Sequence, residues 1–391
     1  MSAPLSVMIC AGEPSGDVLG AQLIAALRIV SPRPLMFSGL GGPLMEREGL
    51  VSQFPISDLA VMGFSDVVPK IPVLLRRIRE TARFAARTKP DVLVLVDAPS
   101  FAHRVATQVK KLAPEIPIVI YVAPQVWAWR PGRARHMPGY VDHVLALLPF
   151  EPAFFETYGV HTTHVGHPVV ERLQNPGQGP AFRSRHGIEP RAPLLAVLLG
   201  SRRKEISRLA PVFGEAVALL AQKTPGLSLV VPTIPQVEGL ARDAVKDWPV
   251  RAVVTADFAE KFEAFEAADV ALAASGTVSL EIALARTPTV IAYKVDALSA
   301  AIARRLIKVR YANIINLILD REALPELIQQ NCTGEKIAGA LEHLFTDETA
   351  RTAQRVAFDT AMRALGQGEE SPSLRAARAV LASVRAEKSA P

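Results

Sequence analysis

Five consecutive apolar residues, Val92 to Val96, run straight into Asp97-Ala98-Pro99, and this short run most constrains the fold. It is too short for a buried helix and apolar on both faces, so it reads as a parallel strand covered by helices on both sides. The unit recurs. In the first half SVMICAG, PLMFSGLGG, PIVIYV and HVLALL are apolar runs that break at turn residues. In the second, LLAVLL, SLVVPT, RAVVT, VALAAS and TVIAY follow the same plan, with helical stretches between them. Strand alternating with helix predicts an α/β fold with a doubly wound parallel sheet. The Gly-, Pro- and charge-rich segment LQNPGQGPAFRSRHGIEPRAP separates two such sheets. The expected organisation is therefore an α/β domain over 1–172, a second over 173–345, and a helical tail over 346–391 with room to pack back on the first. The strand carboxyl edges of the two domains are expected to face a central cleft. The pattern VLLRRIRE predicts a further helix starting near position 70, because Pro69 and Pro72 oppose an earlier start.

Composition excludes several classes. In 391 residues, 49% are hydrophobic and 21% charged, the balance of a chain with large cores. Cys10 and Cys332 lie in different halves and form neither a disulfide framework nor a metal cluster, which suits a reducing compartment. No apolar run approaches the length of a membrane span, and the N-terminal MSAPLSVMICAGE reads as a first strand and not a signal peptide. Net charge is +6, but residues 70–135 carry thirteen Lys/Arg against four acids, so the excess is +9 there and −3 elsewhere. A basic region so confined implies an anionic partner. Nucleic acid is disfavoured because the chain is 6% aromatic and lacks aromatic-basic interleaving over a sheet. In the same region Val67, Ile71, Leu74, Leu75 and Ile78 recur at helical spacing with Arg76, Arg77 and Arg79 on the other face. That is either core packing or a helix in a membrane interface.

Ligands of open α/β sheets gather at strand carboxyl ends, which directs attention to the breaks. At VALAASGTVSLEIALA a strand breaks at Ser275-Gly276-Thr277 and a helix begins. The helix N-terminus offers free N–H groups and a positive dipole end to a phosphate, and Glu281 falls one turn in, placed for ribose hydroxyls. The plainer reading is a capped connection with Glu281 favouring the dipole. Gly200-Ser201-Arg202, with Glu205 following, repeats the arrangement. GEPSGD, with Ser15, Gly16 and Asp17, is no Walker loop and its acids repel diphosphate, so sugar hydroxyls are expected there, or Asp17 is a helix cap. Asp97 is either a cap or a base. Trp127 and Arg130, in the loop APQVWAWRPGRARH, suit a sugar or lipid headgroups, or close the core.

Taken in order, GEPSGD, VDAPSF, APQVWAWR, LPFE, VGHP, LLGSRRKEI, SGTVSLE and NLILDREALPELIQ resemble the lipid-A-disaccharide synthases over about residues 5 to 335, departing at Pro14 and Ser100. The resemblance implies a GT-B fold and an inverting transferase. Its donor would be UDP-2,3-diacylglucosamine and its acceptor 2,3-diacylglucosamine 1-phosphate, giving UDP and the β(1→6) disaccharide of lipid A. It makes Asp97 the candidate base, with His103 or a water next in line, and adds Asn316 and Gln329 as amides for sugar or phosphate oxygens. With no Asp-x-Asp pair in the chain, neither a metal nor another cofactor is expected. The implied location is cytoplasmic, peripheral to the inner membrane of a Gram-negative bacterium, at an anionic surface; a homodimer is compatible. The rival is a soluble UDP-N-acetylglucosamine epimerase or muropeptide-type glycosyltransferase of the same fold.

Overall fold

The computed structural model describes residues 3–59, 64–172, 176–274 and 276–388. The chain divides into two compact units, Met1–Pro168 with Leu365–Pro391, and Val169–Ala364. The first holds a seven-stranded parallel sheet: β1 (Leu5–Ala11), β2 (Leu35–Leu40), β3 (Val51–Ser52), β4 (Val92–Val96), β5 (Ile118–Tyr121), β6 (His143–Ala146) and β7 (Thr162–His164). Its spatial order is β3-β2-β1-β4-β5-β6-β7. The second holds β8 (Leu194–Leu198), β9 (Ser228–Pro232), β10 (Ala252–Thr255), β11 (Val270–Ala273), β12 (Thr289–Tyr293) and β13 (Glu326–Ile328), ordered β10-β9-β8-β11-β12-β13. Both sheets reverse direction of progression once. The switch points lie between β1 and β4 and between β8 and β11, where a doubly wound sheet opens a crevice at its carboxyl edge.

The alternation along β4 shows why so plain a sequence folds this way. Val92, Val94 and Val96 enter one core with Leu23 and Leu27 of the helix Pro14–Val30, whereas Leu93 and Leu95 enter the other with Val105 and Val109 of the helix Pro99–Leu112. Each such side chain contributes about 1.5–3 kcal/mol when fully buried, so a polar residue on either face is excluded. Close helix packing needs Gly16, where a Cβ would lie 3.2 Å from both the Ala11 Cβ and the Val96 carbonyl oxygen.

The structure departs from three expectations. The tail does not act as one piece, and the first boundary falls at Pro168 and not at 172. The helix Glu348–Ala364 belongs to the second unit, where the Gln354 amide exchanges hydrogen bonds with the Thr289 N–H (2.7 Å) and carbonyl (3.2 Å) at the start of β12. The helix Pro372–Lys388 belongs to the first, seating Ala376, Ala377 and Val380 in its core; Ser383 meets His143 of β6 at 2.9 Å. The arginine-rich helix runs Phe64–Thr88, enclosing both Pro69 and Pro72 instead of starting near 70. Only the first four N–H groups of a helix lack intrahelical partners, and the two prolines are its sixth and ninth residues, so each removes one interior hydrogen bond that the rest of this 25-residue helix must offset.

Candidate active site

At the first switch point the segments leaving β1 and β4 emerge side by side, since Ala11 pairs with Val96. Asp97 follows at once, its N–H donating to the Tyr121 carbonyl of β5 (2.9 Å). Asp97 and Ala98 both adopt left-handed conformations, with φ of 54° and 48°. Such backbone costs roughly 1 kcal/mol or more per non-glycine residue and collects at functional sites. The tight turn also fixes Gly12, where a Cβ would stand 2.5 Å from that of Ala98. Asp97 is no cap: Ala98 takes the N-cap position of the helix Pro99–Leu112, without a side-chain capping bond. The Asp97 carboxylate is half-buried and accepts through Oδ2 from the exposed Ser15 hydroxyl (3.0 Å).

Ser15 is the residue of GEPSGD that meets Asp97. Gly16 serves packing, and Asp17 is 5% exposed with its carboxylate accepting from the N–H groups of Gly42 (2.8 Å), Leu44 (3.1 Å) and Met45 (3.0 Å). These head the short helix Pro43–Arg47, so Asp17 caps a neighbouring helix and not its own, and the expectation that it binds sugar is corrected. Asp17→Ala strands three donors, and unfolding by denaturant should show a loss of about 2–4 kcal/mol. An unchanged midpoint would remove that role.

Beyond β5 and β6 lie the aromatic loops. Trp127, on the short helix Val126–Trp129, is half-buried, edge-on to Phe150 (4.9 Å), and donates from Nε1 to Glu151 (3.1 Å). Trp129 is 38% exposed and carries the guanidinium groups of Arg130 (4.6 Å) and Arg133 (5.6 Å) against its ring. An aromatic face holding two exposed arginines suits an anionic sugar. His103 bonds Tyr140 through Nδ1 (3.1 Å), and burial, aided by Arg133, lowers its pKa to about 4.

At the second switch point Leu198 of β8 pairs with Ala273 of β11. Gly200 has φ of 104°, and Glu205 reaches back to the N–H groups of Ser201 (3.1 Å) and Arg202 (3.2 Å), forming the return half of a capping box on the helix Arg203–Lys223. Glu205 therefore braces the turn and is not free for substrate, and the Ser201 N–H is already spent. The Arg202 side chain remains 80% exposed. Ser275 lies outside the described residues. Gly276 and Thr277 are exposed ahead of the helix Val278–Leu284, where the Ser279 hydroxyl donates to the Gly276 carbonyl (2.7 Å). Glu281 is 6% exposed and gripped by two cations, Arg172 on Oε1 and Lys261 on Oε2 (2.8 Å). Neither partner was legible in the sequence. A carboxylate has about four acceptor positions, so two cations leave room for hydroxyl donors.

Asn316 and Gln329, expected to meet sugar or phosphate oxygens, have partners within the chain. Asn316 is fully buried with its whole amide committed: Nδ2 donates to the Leu324 carbonyl (2.9 Å) and Glu326 (2.8 Å), and Oδ1 accepts from Ala323 (2.8 Å) and Leu324 (3.0 Å). It holds the turn that enters β13. With its amide oxygen and nitrogen assigned so that both are satisfied, Gln329 meets the Val295 carbonyl (3.3 Å) and N–H (3.1 Å). Of the face expected at a membrane, the Val67 side chain lies outside the described residues. Ile71 and Leu75 are 40% and 36% exposed, Arg76 and Arg79 are exposed, and Leu74 packs against the core. Arg77 turns inward: it pairs with Asp58 (2.5 Å) and Glu80 (2.7 Å) and lies over the Phe54 ring.

The family model described as lipid-A-disaccharide synthetase matches residues 7–380. The chain belongs to that family. A lipid-A-disaccharide synthase of Rhodospirillum centenum is 49% identical over 97% of this chain and 94% of its own length. Members of the lipid-A-disaccharide synthetase family are glycosyltransferases of lipid A synthesis, and this chain is one of them. The fold is GT-B: a UDP-GlcNAc 2-epimerase from Neisseria meningitidis superposes with a TM-score of 0.65 over 98% of this chain and all of its own, at 11% identity. The glycotransferase of kitacinnamycin does so at 0.64, over 98% of this chain and all of its own, at 15% identity. At such identities these likenesses speak for the fold alone.

Proposed function

We propose that the protein joins UDP-2,3-diacylglucosamine to 2,3-diacylglucosamine 1-phosphate, with Asp97 as general base. The observation that supports this is a carboxylate standing at a switch point on strained backbone that, among the described residues, is spent neither on a helix cap nor on an ion pair. Asp97 takes the proton of the acceptor 6-hydroxyl as its oxygen attacks the anomeric carbon from the face opposite the phosphate. The bond from that carbon to the β-phosphate oxygen breaks, the electron pair leaves with UDP, and the configuration inverts. Ser15 holds the carboxylate for this transfer.

Nucleotide retention falls to the second unit. The exposed Arg202 guanidinium and the Gly276-Thr277 turn meet the charge that develops on the departing diphosphate, and Glu281 accepts from the ribose. Cationic side chains supply the compensation a divalent ion gives elsewhere, so the reaction should run in EDTA. Arg130 and Arg133, held on Trp129, receive the acceptor's phosphate. Purified protein given both acylated sugars should release UDP and form one β-linked disaccharide. An α-linked product, or UDP release without the acceptor, would remove the reading.

Among the described residues no helix is long and apolar enough to cross a membrane. The acylated substrates are reached instead from the cytoplasmic surface of the inner membrane, with Ile71, Leu75, Arg76 and Arg79 facing it. Sedimentation with vesicles should show binding that strengthens with the anionic lipid fraction and weakens with salt. Binding indifferent to both would eliminate the docking face.

A further inference from the structure

The LPFE motif ends in a residue that the transfer itself does not use. Glu151 is 2% exposed and joins two loops at the carboxyl ends of adjacent strands. Oε2 accepts from the backbone N–H groups of Leu147 (3.1 Å) and Leu148 (2.9 Å), which follow β6; Oε1 accepts from the Trp127 indole (3.1 Å), which follows β5. Three donors on one side chain, with a T-shaped contact to Phe150, fix the indole in position and orientation. The loop so fixed continues directly into Trp129, Arg130 and Arg133, the last two stacked on the Trp129 ring.

From this geometry we infer that Glu151 is a positioning residue for the acceptor: through Trp127 it holds the loop whose arginines receive the acceptor phosphate. The inference rests on the reading of Arg130 and Arg133 given above. Among the described residues Glu151 is held by N–H donors and not by a cation. Burial is the largest influence on its ionisation and pushes its pKa up to about 7, against the bonds from Leu148, Trp127 and Leu147. From the adjoining elements, His164 of β7 reaches the Leu147 carbonyl (3.3 Å); burial and Arg375 of the C-terminal helix lower its pKa, against the Leu147 bond and Glu369, which pairs with Arg375. The carboxylate accepts more strongly than the acid, so the grip on Trp127 tightens as pH rises through 7.

Glu151→Gln retains size but offers one acceptor oxygen to three donors, and its amide nitrogen opposes one of them. Trp127→Phe removes the indole donor and keeps an aromatic ring against Phe150. Each should raise KM for the acceptor at least tenfold, with kcat and the Kd for UDP changed less than threefold. The double variant should be no worse than the poorer single, since both remove one contact. Tryptophan fluorescence provides a readout independent of turnover. Wild-type protein should show a transition near pH 7 that both single variants lack, with thermal unfolding and circular dichroism confirming that each is folded. A transition that persists in Glu151→Gln, an unchanged acceptor KM, or additive losses in the double variant would overturn the inference. Absence of transferase activity in wild-type protein would instead overturn the function proposed above and leave the fluorescence transition in place.

Discussion

Asp97→Asn should lower kcat by about 10²–10⁴-fold, the contribution of a positioned general base, while UDP binds as before. The substitution is well suited to its purpose. Asparagine tolerates the left-handed conformation at φ 54° and keeps an oxygen for the Ser15 hydroxyl, so neither the turn nor its neighbours need move. Because the helix Pro99–Leu112 takes no capping bond from this residue, stability should change little as well. Isothermal titration with UDP and single-turnover kinetics on the same preparation separate the outcomes. A variant that turns over at more than a tenth of the wild-type rate would take the base away from Asp97. His103 would be the next candidate, since burial keeps its imidazole neutral down to about pH 4.

The second large effect is expected at Glu281, where binding and folding are linked. Glu281→Ala should weaken UDP by roughly 1.5–3 kcal/mol, the worth of hydrogen bonds to a charged acceptor, or about 10- to 150-fold in Kd. It also leaves Arg172 and Lys261 without their shared carboxylate. Breaking a buried pair costs more than an exposed one, but Arg172 is 35% exposed, so a loss of about 2–3 kcal/mol on unfolding is expected. The two roles are separated by the nucleotide. Wild-type protein should discriminate UDP from its 2′- and 3′-deoxy analogues, and Glu281→Ala should bind all three alike. If discrimination survives the substitution, Glu281 is an ion-pair hub and the ribose is held by other groups.

How far the site was legible follows from what kind of contact each residue makes. Asp97, Arg202 and the Gly276-Thr277 turn stand out in the sequence because they follow apolar runs, and a strand end is a local event that a single stretch of sequence announces. Asp17 fits the capping alternative but on a helix the sequence did not point to: its partners Gly42, Leu44 and Met45 lie 25 to 28 residues away, and a glycine turn gives no sign that its carboxylate will cap another helix. Asn316 and Gln329 were carried by resemblance alone. Both serve the entry to and exit from β13, a three-residue strand too short to announce itself by periodicity. The brevity of β3, two residues, hid it in the same way.

What the sequence determined by itself is the alternation: short apolar runs between helices, twice over, admit little besides two parallel sheets wound on both faces, because the central strands must be buried on each side. It also marked the breaks after β1, β4, β8 and β11, the strand ends at which ligands of such sheets gather. Which polar groups remain available for that chemistry was decided only by the tertiary structure. The Glu281 carboxylate meets a cation 109 residues away, Glu151 ties an indole 24 residues away, and the C-terminal helix returns to His143 across 240. A charge in a folded interior is defined by the partners that compensate its lost hydration, and those partners are brought together by packing and not by spacing along the chain.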